Sequence, residues 1–190
     1  MINDYKQITP VEKIGGLYFK RDDLFNIGGM SGAKVRSCYI LGKMAKDNGY
    51  KILTTAGAKS SPQINIVATI GKELGLEVVG HTSDSKLQPD MISAIEKGAK
   101  VEQHSYGYTT VLMKRTKDFA EQNNAFIIPY GMESEASINS AKKQLMGIDK
   151  EVFKEIKRIV IPVGSGINAI GVVLGLDELG LDIPVLGVQV

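Results

Sequence analysis

The chain contains a lysine in a setting that favours covalent chemistry. Lys34 lies at the end of the glycine-rich segment GGMSGAKVR, residues 28–36. Glycines let a backbone approach a ligand closely, and Ser31 is placed to be the N-cap of a following helix with Lys34 on its first turn. The positive end of a helix and a partly desolvated pocket both disfavour an ammonium ion, so the amine becomes a nucleophile suited to a Schiff base. On the lysine alone, the competing interpretation of a solvated surface residue is favoured.

Two further loops follow predicted strands and are suited to binding anions. Residues 57–63 (GAKSSPQ) place Ser61 as a helix N-cap and Pro62 as the first helical residue, so hydroxyls and free N–H groups can face a carboxylate. Residues 164–168 (GSGIN) let a phosphate reach backbone N–H groups at a helix start. This loop is not a complete GxGxxG motif, because Ala169 stands at the last glycine position. The plain alternative for each loop is a capped helix or tight turn without a ligand.

The elements that must position these loops alternate between strand and helix. This alternation predicts an α/β fold with parallel sheets flanked by helices, in which ligands bind at the carboxyl ends of the strands. The β-branched run 158–163 is expected to be buried on both faces. The predicted strands are 17–21, 52–56, 77–81, 100–104, 125–129, 158–163 and 184–190. The first predicted helix starts near residue 35. The other predicted helices cover 62–74, 89–97, 110–123, 135–145, 146–157 and 168–179.

Composition narrows the class of protein further. The 190 residues have a net charge of +2 without a basic stripe, so nucleic-acid binding is not indicated. No apolar run reaches membrane-spanning length, and the single cysteine, Cys38, fits a core position in a cytoplasmic protein. His81 and His104 lie in predicted strands without a nearby cysteine or a carboxylate at ligand spacing, so no metal site is predicted.

The loops together are similar to those of a known enzyme family. A strand with the sequence KRDDL (residues 20–24) precedes the Lys34 segment, the Gly/Ser loop comes one strand later, and the GSG turn follows about a hundred residues on. This order resembles the fold type II pyridoxal-phosphate enzymes, the tryptophan synthase β family. It is most similar to the branch of aminocyclopropane-carboxylate deaminase and D-cysteine desulfhydrase.

The resemblance implies a cofactor, a substrate class and a set of site residues. The cofactor would be pyridoxal 5'-phosphate, held as a Schiff base by Lys34, and the substrate a small amino acid undergoing elimination, deamination or replacement. Lys34 would also move a proton at the substrate carbon, and Ser61 would act with it. Ser60, Ser61 and Gln63 would face the substrate carboxylate and the edge of the cofactor ring. The cofactor phosphate would be bound by Gly164, Ser165, Gly166, Ile167 and Asn168.

The resemblance also implies two lobes and leaves other functions open. A smaller lobe, residues 44–150, would be inserted into a larger one formed by 1–43 and 151–190, which lacks the family's C-terminal part. Such enzymes are commonly homodimers. The alternative is a non-catalytic or truncated binding module that needs a partner chain, favoured by Pro62 at a position where the family has asparagine. A Rossmann-like nucleotide-binding protein ranks last, because no acidic residue is well placed.

Overall fold

The computed structural model describes residues 2–105 and 108–190 and divides the chain into two compact units. The first unit comprises Met1–Asn26, Ser31–Ser37 and Gly131–Val190, and the second comprises Ile27–Met30 and Cys38–Tyr130. The strands are β1 (Val11–Ile14), β2 (Leu17–Lys20), β3 (Asn26–Ile27), β4 (Met30–Ser31), β5 (Ile52–Ala56), β6 (Glu77–Ser83), β7 (Lys100–His104), β8 (Phe126–Ile127), β9 (Ile159–Val163) and β10 (Val185–Gln189). The α-helices are α1 (Ala33–Asp47), α2 (Gln63–Leu74), α3 (Pro89–Glu96), α4 (Thr109–Asn123), α5 (Glu135–Met146), α6 (Lys150–Glu155) and α7 (Ile167–Glu178).

The second unit is built on a four-stranded parallel sheet. Its strand order is β7-β6-β5-β8, and each pair of neighbours is parallel. Each connection between consecutive strands of this sheet contains a helix, as parallel pairing requires. The predicted α/β class and parallel sheet are therefore confirmed.

Helices cover both faces of this sheet. A Cβ atom added at Gly80 would lie 2.5 Å from Ile64 of α2, whereas the ring of the next residue, His81, packs against Phe119 of α4 with centroids 5.4 Å apart. Successive strand residues point to opposite faces, so α2 lies on one face and α4 on the other. Leu53 at the centre of the sheet is completely buried.

The first unit contains a smaller parallel pair, β9 with β10, whose connection contains α7. One face of the pair packs on helices: Ile159 and Val185 contact a buried core formed by Leu145, Phe153 and Leu176. The amino-terminal part of this unit adds an antiparallel hairpin, β1 with β2. The sequence predicted only the second strand of that hairpin.

The other face of the β9–β10 pair is apolar and exposed. Val160 lies opposite Leu186, and Pro162 opposite Val188, so these side chains share one face. Val160 is 58% exposed and Leu186 is 50% exposed. The prediction that 158–163 is buried on both faces is therefore wrong. Within the described residues β10 is the only strand paired with β9, and this face is left to solvent.

The predicted burial of Cys38 is confirmed, since its side chain has no exposed surface. Burial raises the pKa of its thiol, so Cys38 is an inert core residue rather than a reactive one. None of the helices within residues 2–105 and 108–190 has the length and apolar character needed to cross a lipid bilayer.

Candidate active site

Lys34 is the second residue of α1 and its side chain is exposed. The helix begins one residue before it because the carbonyl of Gly32 accepts the backbone N–H groups of Val35 and Arg36, at 3.1 and 3.2 Å. Gly32 can supply this turn because its φ is +102°. The prediction of Ser31 as N-cap is wrong, because Ser31 belongs to the short strand β4. Lys34 nevertheless lies on the first turn, as predicted.

The first turn of α1 is fixed by a buried cation two residues after Lys34. Arg36 is 2% exposed, its Nη2 donates to Asp22 Oδ1 at 3.3 Å, and its guanidinium lies 4.7 Å from the ring centroid of Phe25. Burial lowers the pKa of Arg36, and the charge of Asp22 opposes that shift. Asp22 therefore supports the lysine segment. Its neighbour Asp23 pairs at the surface with Arg21.

Asp22 is part of a larger, partly buried network that joins distant parts of the first unit. Thr9 Oγ1 donates to Asp22 Oδ1 at 2.6 Å, and Lys20 Nζ donates to the carbonyl oxygen of Thr9 at 2.8 Å and to Gln144 Oε1 at 2.9 Å. Lys20 Nζ also contacts Thr9 Oγ1. Gln144 of α5 accepts the backbone N–H of Thr9 at 3.0 Å and donates to the carbonyl oxygen of Gln7 at 2.8 Å. Burial lowers the pKa of Lys20 to about 8, opposed by Asp22.

A turn at residues 164–166 connects β9 to α7 in the same unit as Lys34, and Ile167 and Asn168 are the first two residues of α7. Gly166 is the N-cap of α7 with a φ of +83°, and no side chain among the described residues caps this helix start. A Cβ atom added at Gly164 or Gly166 would meet nothing within 4 Å. The turn thus offers backbone N–H groups and open space, which suits a phosphate group. The side chain of Ser165 already has a hydrogen-bond partner within the protein, since its Oγ donates to the carbonyl oxygen of Gly131 at 3.1 Å.

Gly131 packs closely against Ser165 of the glycine turn that precedes α7. We therefore expect Gly131→Ala to be strongly destabilising. Gly131 has a φ of +68°, and an added Cβ atom would lie 2.6 Å from Ser165 Cβ. The conformation costs an alanine about 1–2 kcal/mol, and the clash adds about 1–3 kcal/mol. Urea unfolding should show a total loss of about 3 kcal/mol.

Gly180→Ala is the matched control for that substitution. Gly180 has nearly the same φ, +66°, but an added Cβ atom would meet nothing within 4 Å. We expect a loss of only about 1 kcal/mol there. Equal losses of unfolding free energy in the two variants would show that the close contact with Ser165 does not contribute to the destabilisation.

The Gly/Ser loop belongs to the second unit. Ser60 is exposed, and Ser61 Oγ accepts the backbone N–H of Gln63 at 3.2 Å. The helix begins at Gln63 with Pro62 as N-cap, so the prediction that Ser61 is the N-cap and Pro62 the first helical residue is one position early. Gln63 is buried, and its Nε2 donates to Thr55 Oγ1 at 3.0 Å and to the carbonyl oxygen of Pro129 at 2.8 Å.

Comparison with solved structures supports the fold. An ACC deaminase homologue is 27% identical with a TM-score of 0.79, over 90% of this chain and 55% of that one. A maize serine racemase is 17% identical with a TM-score of 0.73, over 95% of this chain and 55% of that one. A processed threonine deaminase isoform from Solanum lycopersicum is 20% identical with a TM-score of 0.66, over 90% of this chain and 46% of that one. The chain thus spans about half the length of these structures.

A search of curated proteins found no significant match. The profile of the family described as "Pyridoxal-phosphate dependent enzyme" matches residues 3–190, nearly the whole chain. The structural neighbours include proteins described as an ACC deaminase homologue, a serine racemase and a threonine deaminase. The predicted resemblance to fold type II enzymes and the predicted cofactor are confirmed at the level of the family. The chain therefore belongs to the family of pyridoxal-phosphate dependent enzymes.

Proposed function

We propose that the chain binds pyridoxal phosphate through Lys34 and takes part in the elimination, deamination or replacement chemistry of a small amino acid. The observation that carries the proposal is the uncapped, open glycine turn at the start of α7. It lies in the same unit as Lys34 and within the matched family segment. When bound, the cofactor supplies an electron sink for the substrate's reacting carbon.

Residues of this chain are proposed to bind the cofactor phosphate, to bind the cofactor covalently and to bind the substrate carboxylate. Backbone N–H groups at the start of α7 suit the cofactor phosphate, with Gly166 as the N-cap and Ile167 and Asn168 as the first two helical residues. The exposed amine of Lys34 is accessible to the cofactor and can later exchange a proton with the substrate. The hydroxyls of Ser60 and Ser61 are assigned to the substrate carboxylate.

Ser165 and Gln63 are assigned more restricted roles. The Ser165 hydroxyl donates its hydrogen to Gly131, so this residue would help the phosphate through its backbone rather than its side chain. Two donor contacts hold Gln63 Nε2 inside the second unit, so Gln63 would position the loop that carries Ser61. The buried thiol of Cys38 is compatible with the reducing cytoplasm, where we place the protein.

Absorbance spectroscopy of the purified chain tests the proposal directly. Added pyridoxal phosphate should produce a visible band that borohydride removes, and peptide mapping should then find the label on Lys34. Small amino acids, including D-cysteine and aminocyclopropane carboxylate, should perturb the band if the substrate class is right. Absence of any band at saturating cofactor would contradict binding by this chain.

A second candidate function is supported by the exposed apolar face defined by Val160, Leu186 and Val188. Exposed apolar faces of this kind mark interaction sites. The chain would then be a binding module of the same fold that needs a second chain, either a copy of itself in a homodimer or a different partner.

Light scattering over a range of concentrations distinguishes a homodimer from a chain that needs a different partner. We expect wild-type chain to self-associate and Leu186→Glu to weaken that association. Ile92→Glu is the control, since Ile92 is similarly exposed, at 45%, but lies on α3 in the second unit. Monomeric behaviour of the wild type at all concentrations, with or without cofactor, would count against the homodimer.

A further inference from the structure

Two histidines and a glutamate share one face of the four-stranded sheet in the second unit. His81 on β6 lies directly opposite Glu102 on β7 in the parallel register. His104 is two residues beyond Glu102 on the same strand, so its side chain leaves the same face. Strand pairing thus brings His81 next to Glu102 and His104, which lie more than 20 residues later in the sequence.

Two of the three distances between their possible ligand atoms are close to those of a metal centre. His81 Nδ1 lies 3.0 Å from His104 Nε2 and 3.5 Å from Glu102 Oε2, and all three atoms lie within 4.8 Å of one another. Ligand atoms that bind one tetrahedral zinc ion at about 2.0–2.1 Å lie roughly 3.3 Å apart. The two separations from His81 Nδ1 differ from this value by about 0.2–0.3 Å, and Glu102 and His104, which lie within 4.8 Å of each other, must reach the same spacing to share one ion.

Surrounding contacts hold these side chains in place. His81 is 1% exposed, and its ring packs edge-on against Phe119 of α4. Lys100 Nζ binds Glu102 Oε1 at 2.7 Å, which leaves Oε2 directed toward His81. The buried Nε2 of His81 has no hydrogen-bond partner among the described residues, so the polar contacts of this ring are all on its Nδ1 side. Glu102 and His104 are half-buried, which leaves a route for an ion from solvent.

We propose that His81, Glu102 and His104 form a binding site for a divalent transition metal of the zinc class, with a water molecule as fourth ligand. Two imidazoles with one carboxylate suit zinc or cobalt rather than magnesium or calcium, which take oxygen ligands. The proposal does not depend on cofactor binding or on catalysis. It differs from the sequence-based expectation of no metal site, because the strand register places Glu102 opposite His81.

Calorimetric titration of the full chain with Zn²⁺ alone tests the site, with Co²⁺ as a spectroscopic probe. We expect saturable binding of one ion per chain and the visible absorption of tetrahedral Co²⁺. His104→Asn and Glu102→Gln should each weaken Zn²⁺ binding by about 100-fold or more, beyond the 10–100-fold typical of outer-shell changes. Circular dichroism of both variants checks that they fold. These half-buried positions are preferred to the buried His81, whose replacement can disturb folding.

Glu77→Gln is the matched control. Glu77 is exposed and lies on β6, four residues before His81, so it is too far away to be a ligand. Its replacement should leave Zn²⁺ affinity unchanged. Two outcomes would overturn the proposal: no saturable Zn²⁺ binding to the wild type, or equal binding by folded His104→Asn and Glu102→Gln. In either case the contact between the two histidines is a direct hydrogen bond only.

Discussion

Replacing Lys34 with alanine is expected to abolish the visible, borohydride-sensitive band that pyridoxal phosphate gives with the wild-type chain. An alanine has no amine with which to bind the cofactor covalently, and no other group can supply this function at the first turn of α1. The substitution should leave folding intact, because Lys34 is exposed and alanine favours helix. Absorbance spectra and thermal unfolding of the two proteins, recorded with and without cofactor, provide the measurement.

Lys43→Ala is the control for that experiment. Lys43 lies on the same helix, with its Nζ 3.1 Å from a carboxylate oxygen of Asp47 at the surface. Its loss should change neither the band nor the cofactor affinity. A band of wild-type strength in Lys34→Ala would show that another lysine carries the cofactor, and mapping of the reduced label would identify it.

Asp22→Ala is expected to cost about 3 kcal/mol of unfolding free energy. The substitution leaves the Arg36 guanidinium buried without its carboxylate, and breaking a buried ion pair from one side typically costs about 3–5 kcal/mol. Asp22 itself is 36% exposed, which places the expected loss at the lower end. Urea unfolding measures the change. Because Arg36 fixes the first turn of α1, cofactor affinity should fall as well.

Asp23→Ala provides the comparison from the adjacent position. Asp23 is 59% exposed and its ion pair with Arg21 lies at the surface. Surface ion pairs contribute about 0–1 kcal/mol, so this variant should remain close to wild type. If the two variants lost equal stability, the buried pair between Asp22 and Arg36 would not be what stabilises the lysine segment.

Regular elements with local signals could be predicted from the sequence. The strands 52–56 and 100–104 have the predicted limits. The first is an apolar and β-branched run closed by Gly57, whereas the second lies between Gly98 and Ser105 with Val101 as its only apolar residue. Helix ends were accurate where glycine stops the helix, as at Gly75, whose φ is +70°. Lys34 lies on a first turn as predicted, although Ser31, the N-cap from which that position was argued, belongs to a strand.

Features that depend on contacts between distant segments could not be predicted in this way. Strand β1 has an exposed, mixed pattern and exists because it pairs with β2. The alignment of His81 with Glu102 depends on strand register, which the sequence does not state. Burial of β9 depends on which layers cover it, so its apolar composition alone was misleading. The roles of Lys34 and Ser61 toward cofactor and substrate remain predictions.

The network around Gln144 has a consequence for synthesis of the chain. Gln144 Oε1 accepts the backbone N–H of Thr9, and both Gln144 and Thr9 accept hydrogen bonds from Lys20 Nζ. Gln144 lies more than 120 residues after both partners. Chains emerge from the ribosome at about 5–20 residues per second, so Thr9 waits roughly 7–27 s for Gln144, which lies 135 residues later. The second unit, by contrast, is complete once Tyr130 has emerged. The inserted unit can therefore fold first, while the segment that leads to Lys34 is ordered only after α5 arrives.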